Sequence, residues 1–147
     1  MSKTNSFETS FLTLVFNNTA IANIGDASGL QPSAADGSLY VSLHTADPGE
    51  TGDQTTSETS YTNYARVAVA RTSSGWTISS NQASNTSAVE FITAGAGAAQ
   101  TVTHFGIGTA ATGAGVLLVK GSVSPQLSVS EGVKPQFDAG YLVVQED

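Results

Sequence analysis

LYVSLHTADPGETGDQTTSETSYTNYARVAVAR, residues 39–71, is the stretch on which the fold class turns. Leu39, Val41 and Leu43 alternate with Tyr40, Ser42 and His44, the period-two pattern of a strand with one face buried. Residues 45–49, TADPG, end it: Pro48 lacks the amide proton that a ladder needs, and Gly49 permits positive φ. A polar, acidic loop follows over residues 50–60. The chain then returns as a second strand over residues 61–71. Ala65, Val67 and Val69 share one face of it, with Tyr64, Arg66 and Arg71 near its ends. Strand, large polar loop and strand make the unit, and nothing in that pattern marks a reactive centre.

LYVSLHTADPG (39–49), the polar loop and YARVAV (64–69) resemble a family of small structural proteins of tailed-bacteriophage virions. Members are described as capsid decoration (cement) proteins or as tail and fibre components. Residues 103–147, THFGIGTAATGAGVLLVKGSVSPQLSVSEGVKPQFDAGYLVVQED, continue the likeness as a strand, a small-residue turn and further strands. The resemblance spans roughly residues 39–144. It implies a structural role in a virion and a jelly-roll-like sandwich.

Composition narrows the choices. A chain of 147 residues is most simply one domain and is long enough to bury its own core. Only 12% of residues are charged, about half the usual share, while Ser and Thr make about a quarter. Such a surface suits flat sheets and close backbone packing. The net charge is −7, with Lys3, Arg66, Arg71, Lys120 and Lys134 the only cations. Without a basic stripe, nucleic acid is not an expected partner. An acidic exterior is better placed outside a capsid shell than against packaged nucleic acid. The chain has no cysteine, which removes disulfides and cysteine metal sites and fits synthesis in the host cytoplasm. No signal peptide is read at the N-terminus, and no apolar run is long enough for a membrane helix.

Further from the central stretch, Asn5 and Glu8 have capping-box spacing, and Phe7, Phe11, Leu14 and Val15 fall near one helical face. A short helix is expected over residues 6–16, ended by Asn17 and Asn18. Residues 1–18 then form an arm or short helix, and residues 19–147 a single β-sandwich domain. Residues 19–38 read as loop, with a strand or turn near 20–24. Strands are expected at 76–79, hairpinned to the 61–71 strand through residues 72–75, and at 88–93, with 81–87 a polar loop. More follow at 101–108 and 116–123, then a break at Pro125 and Gln126, and strands near 127–129 and 141–144. Seven to nine short strands argue for a sandwich or barrel.

The candidate chemistry is thin. Ser42, His44 and Asp47 compose a nominal triad, but no G-x-S-x-G elbow accompanies them, so His44 reads as a strand-end residue bonded to its own turn. His104, beside Phe105, reads as a core-edge or interface residue. Asp47, Glu50, Asp53 and Glu58 lack the alternation of a calcium loop and read as a solvated acidic loop. Gly106, Gly108, Gly113 and Gly115 precede an apolar strand, not a Gly-Lys-Ser or a helix, which leaves a β-turn and no phosphate site. Trp76, Tyr61, Tyr64 and Phe105 have the make-up of a sugar platform, but such aromatics fill sandwich cores. Glu90 and Asp138 are the carboxylate pair on which a glycan-active enzyme would depend.

The sequence therefore predicts an all-β protein, a jelly-roll-like antiparallel β-sandwich with a short N-terminal helix or arm. The expected role is that of a capsid decoration protein on the outside of a phage head. It would reinforce contacts with the major capsid protein or a neighbouring virion protein and self-associate as a dimer or trimer. The alternative is a tail, baseplate or fibre-tip component. No catalytic residue, cofactor or metal site is expected. Phe7, Phe11, Val15 and Phe16, with Arg66 and Arg71, are the expected contact residues.

Overall fold

The computed structural model describes residues 1–147. One helix and nine strands make the chain all-β, mostly antiparallel, with a short N-terminal helix. They are α1 (Asn5–Asn17), β1 (Ser38–His44), β2 (Val67–Ala70), β3 (Trp76–Ser79), β4 (Gln82–Asn85), β5 (Val89–Glu90), β6 (Gln100–Gly108), β7 (Leu117–Val129), β8 (Gln136–Phe137) and β9 (Val143–Gln145). Three sheets result, in the orders β2-β1-β6-β7, β3-β4-β9 and β5-β8. The elements fall into two compact units. One comprises Met1–Ser38, Val69–Ala88 and Asp138–Asp147, the other Leu39–Ala68 and Val89–Phe137.

In the first unit α1 lies on β3 and β4. Leu12 and Phe16 point inward, and Phe16 meets Trp76 edge-on at 4.8 Å. Trp76, Ala83, Leu142 and Val144 complete this core. Each large side chain buried here contributes about 1.5–3 kcal/mol of transfer free energy. The helix begins earlier than its sequence signal. Thr4, not Asn5, is the N-cap, in extended conformation and without a side-chain cap bond. Glu8 cannot close a capping box, because it sits on the buried face with Leu12 and Phe16. Asn18 ends the helix in the left-handed conformation, φ 50°, a role asparagine fills readily.

Residues 82–85, expected as loop, are β4, the central strand of β3-β4-β9. Only Ala83 is apolar there, so no periodicity signals the strand. Asn85 anchors it instead. Its Nδ2 donates to the carbonyls of Ser87 and Asp138, both at 2.9 Å, and its Oδ1 accepts from the Leu142 amide at 2.9 Å. The hairpin of this sheet therefore joins β3 to β4, and β2 pairs with β1 instead of β3.

In the second unit β1 and β6 pair antiparallel, with Val41 opposite Ile107 and Leu43 opposite Phe105. These side chains form one apolar face. Against it runs a relay of aromatic rings: Tyr61 to Tyr64 at 5.3 Å, Tyr64 to Phe91 at 6.3 Å, Phe91 to Phe137 at 6.3 Å and Phe137 to Phe105 at 5.8 Å. The opposite face, with Ser42 across from Gly106 and His44 across from His104, was expected in solvent. It is buried as well: Ser42 and His44 are fully enclosed. The polar segment 45–60 folds back over it.

Other strand limits differ from the sequence reading for local reasons. The strand after the loop is Val67–Ala70 alone. Before it, Asn63 takes φ 76° and the Tyr64 amide bonds back to the Tyr61 carbonyl, which is a turn. Only Val89–Glu90 of residues 88–93 is strand. Conversely, β7 runs through Pro125 without stopping. It is the edge strand, where a residue lacking an N–H is tolerated, and its register with β6 shifts between Val102 and His104 to absorb the irregularity.

Candidate functional site

The contact residues expected from sequence divide into an exposed pair and an internal set. Phe7 and Phe11, one helical turn apart, are each 38% exposed on the outer stripe of α1, flanked by half-buried Leu14 and Val15. Phe16 belongs to the core. The only charged residue of the helix, Glu8, is buried, so the outer stripe is uncharged.

Arg71 caps that helix from outside its sequence. Its Nε donates to the Val15 carbonyl at 2.7 Å and its Nη2 to Leu14 at 2.9 Å; Nη1 reaches Ser33 Oγ at 3.2 Å. These are carbonyls a helix C-terminus leaves open, and a cation there also meets the negative end of the helix dipole.

Arg66 is buried, its side chain 3% exposed. Its guanidinium takes both oxygens of Glu58, each at 2.7 Å. The remaining donors go to the carbonyls of Ala110 and Gly113, both at 2.8 Å. Tyr64 donates its hydroxyl to Glu58 at 2.8 Å and accepts the Leu43 amide at 3.1 Å. Burial, with the Glu58 carboxylate beside it, pushes the Tyr64 phenol well above its ordinary range. The fork thus ties segment 45–60, the approach to β2 and the β6–β7 turn into one cluster. Sequence reasoning placed Arg66 in an intermolecular ion pair; here its donors are engaged within the chain.

Gln54 is a second anchor, missed from sequence because a lone glutamine among threonines carries no pattern. It is fully buried. Its Oε1 accepts the Ala110 amide at 2.9 Å, and its backbone N–H donates to the Ala114 carbonyl at 2.9 Å. Gly108 permits this approach: a Cβ there would lie 2.2 Å from the Gln54 side chain. The acidic loop is therefore packed at Gln54 and Glu58. Of its carboxylates, Asp47 and Glu50 are the exposed ones, and both pair with Lys120 at 3.0 Å. The Gly49 amide and Lys120 together hold the Asp47 carboxyl below its ordinary range.

The nominal triad is half assembled. Ser42 Oγ is 2.8 Å from His44 Nε2, but His44 Nδ1 bonds the Thr56 carbonyl at 2.8 Å, and Asp47 is engaged with Lys120. A carbonyl only accepts, so Nδ1 carries the proton and Ser42 donates to Nε2. With Ser42 and His44 both at 0% exposure, no substrate atom reaches either. Of the proposed carboxylate pair, Glu90 is ion-paired with Lys134, in a different compact unit from Asp138. No group of three or more His, Asp or Glu gathers as metal ligands, and no helix is long and apolar enough to cross a membrane. The glycine-rich segment is the β6–β7 turn, with Gly113 at φ 75° and Gly115 at φ 56°. Trp76, Tyr61 and Phe105 are core residues.

The chain is thus a β scaffold braced by a buried polar fork, with Phe7 and Phe11 exposed on an uncharged helix stripe. The family model described as "Podophage GP4 fiber I protein gp80" matches residues 3–145, and the chain belongs to that family of phage virion structural proteins. No curated protein matches it.

Proposed function

We propose that the chain is a component of a phage tail-fibre apparatus, working by binding and bracing rather than by covalent chemistry. The family match over residues 3–145 carries this reading, since its description names a fibre protein. It favours the fibre over capsid decoration, the main expectation from sequence. The internal engagement of Arg66, Arg71, Glu58 and His44 fits a rigid part better than a reaction site. Its partners on this reading are further copies of itself and a neighbouring virion protein, met through the Phe7 and Phe11 stripe.

Gold-labelled antibody against this chain on purified particles tests the reading, with the band quantified against the major capsid protein. Label confined to the tail, with the chain far below the capsid protein in copy number, is the expected result. Label over the head at a ratio near one would return the protein to the capsid shell. Phe11→Ser, in a host supplying only the variant, is expected to lower incorporation into particles while leaving the soluble protein folded.

A further inference from the structure

The chain has two histidines, and they face each other across the β1–β6 ladder at the root of segment 45–60. His104 is half-buried, its Nδ1 2.9 Å from Thr103 Oγ1. His44 is fully enclosed and gives a side-chain bond from β1 to the segment, through the Thr56 carbonyl. Around that bond lie three backbone ties: the Thr45 amide to Ser57, the Thr59 amide to Leu43, and the Gln54 amide to Ala114. The space is tight: a Cβ on Gly106 would lie 2.7 Å from Ser42 Oγ and 2.8 Å from His44 Nε2. No water-sized gap separates the ring from its neighbours on that side.

We propose that residues 45–60 form an acid-releasable strap over the β1–β6 sheet, with neutral His44 as its latch. A proton added to Nε2 removes the acceptor of the Ser42 hydroxyl, whose own hydrogen then needs a new partner. It also places a cation in an enclosed site. The charged and titratable groups acting on that cation are Glu58 from the strap, Arg66 from the approach to β2, and His104 from β6. Arg66 and a protonated His104 oppose it. Glu58 favours it, but both Glu58 oxygens are already held in the Arg66 fork. Freeing the strap hydrates the ring and removes the conflict.

The direction follows from linkage. Burial holds His44 below its ordinary 6.5 in the closed form, and in the open form it regains that value. Closure is therefore at full strength above 6.5. It weakens as pH falls through that value, and levels off below the closed-form pKa.

The test is made on the full chain by NMR, following both histidine rings and the hydrogen-exchange protection of the Thr45, Gln54 and Thr59 amides. Protection factors, corrected for intrinsic exchange, are expected to fall about tenfold or more between about pH 7.5 and about pH 5. The fall should begin near the ordinary 6.5 and level off as the His44 ring itself titrates in the closed form, while the β3–β4 amides keep their protection. His44→Asn, which retains a donor toward Thr56 but takes no proton, should abolish the acid response. Flat strap protection across that range overturns the latch. So does a fall that keeps steepening below the His44 ring titration, or an acid response that persists in His44→Asn. If that variant does not fold, the position of the wild-type fall relative to the His44 ring titration decides alone.

Discussion

Arg66 shows how far one side chain reaches in this molecule. Its guanidinium makes four hydrogen bonds, to one carboxylate and two carbonyls that come from positions 58, 110 and 113. Removing the guanidinium leaves Glu58 enclosed without its counter-charge and orphans two backbone acceptors. Arg66→Met is expected to cost about 3–5 kcal/mol, the range for breaking one side of a buried pair. Arg66→Lys keeps the charge but loses the fork, so it should recover only part of that loss. Urea unfolding midpoints at constant slope measure both, and a loss below 1 kcal/mol for Arg66→Met, on the order of an exposed pair, would show that the fork contributes little. Gly106 poses the opposite problem, one of space. An added Cβ would meet Leu117 at 2.6 Å, Ser42 at 2.7 Å and His44 at 2.8 Å. Gly106→Ala is therefore expected to destabilise by about 1–3 kcal/mol through overpacking, read as a lower thermal midpoint.

At the scale of elements, what the sequence made legible was hydrophobic periodicity, and what it hid was anything held by polar bonds to distant backbone. Leu39, Val41 and Leu43 announced β1, and Phe7, Phe11 and Val15 announced α1, because in both cases the apolar spacing is itself the physical cause of the element. β4 was invisible because Asn85, not an apolar side chain, holds it in place. The strap read as solvated loop because the partners of Gln54 lie as far along the chain as Ala110 and Ala114, and no spacing rule reaches them. Pro125 read as a break, although at an edge strand it removes no ladder bond. The site fared likewise: Ser42 and His44 were found together, but the burial that disarms them was not predictable from their alternation. Helix α1 illustrates the same split, since its stripe is local and its C-terminal cap is not. Arg71→Ala removes donors from the Leu14 and Val15 carbonyls, so a loss of about 2 kcal/mol is expected, with reduced ellipticity at the helix band. An unchanged helical signal together with unchanged stability would mean that water replaces the guanidinium at no cost.

At the scale of the whole molecule, the path of the chain matters more than any single contact. The chain passes from one compact unit to the other four times, after residues 38, 68, 88 and 137. Each unit is therefore assembled from separated pieces, and β2 itself carries residues of both. A cut inside the chain can leave both units incomplete: ending it at residue 88 would strip β9 from the first and β5, β6, β7 and β8 from the second. Truncation at 88 is accordingly expected to give an unfolded or aggregated fragment, lacking strands on which its remaining sheets depend. The intact chain is expected to unfold in one transition. Trp76, the only tryptophan and fully buried in the first unit, provides the probe for one side. Exchange of the β1 and β6 amides provides the probe for the other. Coincident midpoints from the two probes in urea would establish the single transition. A Trp76 midpoint clearly separated from that of β1 and β6 would show instead that the four crossings leave the units thermodynamically independent.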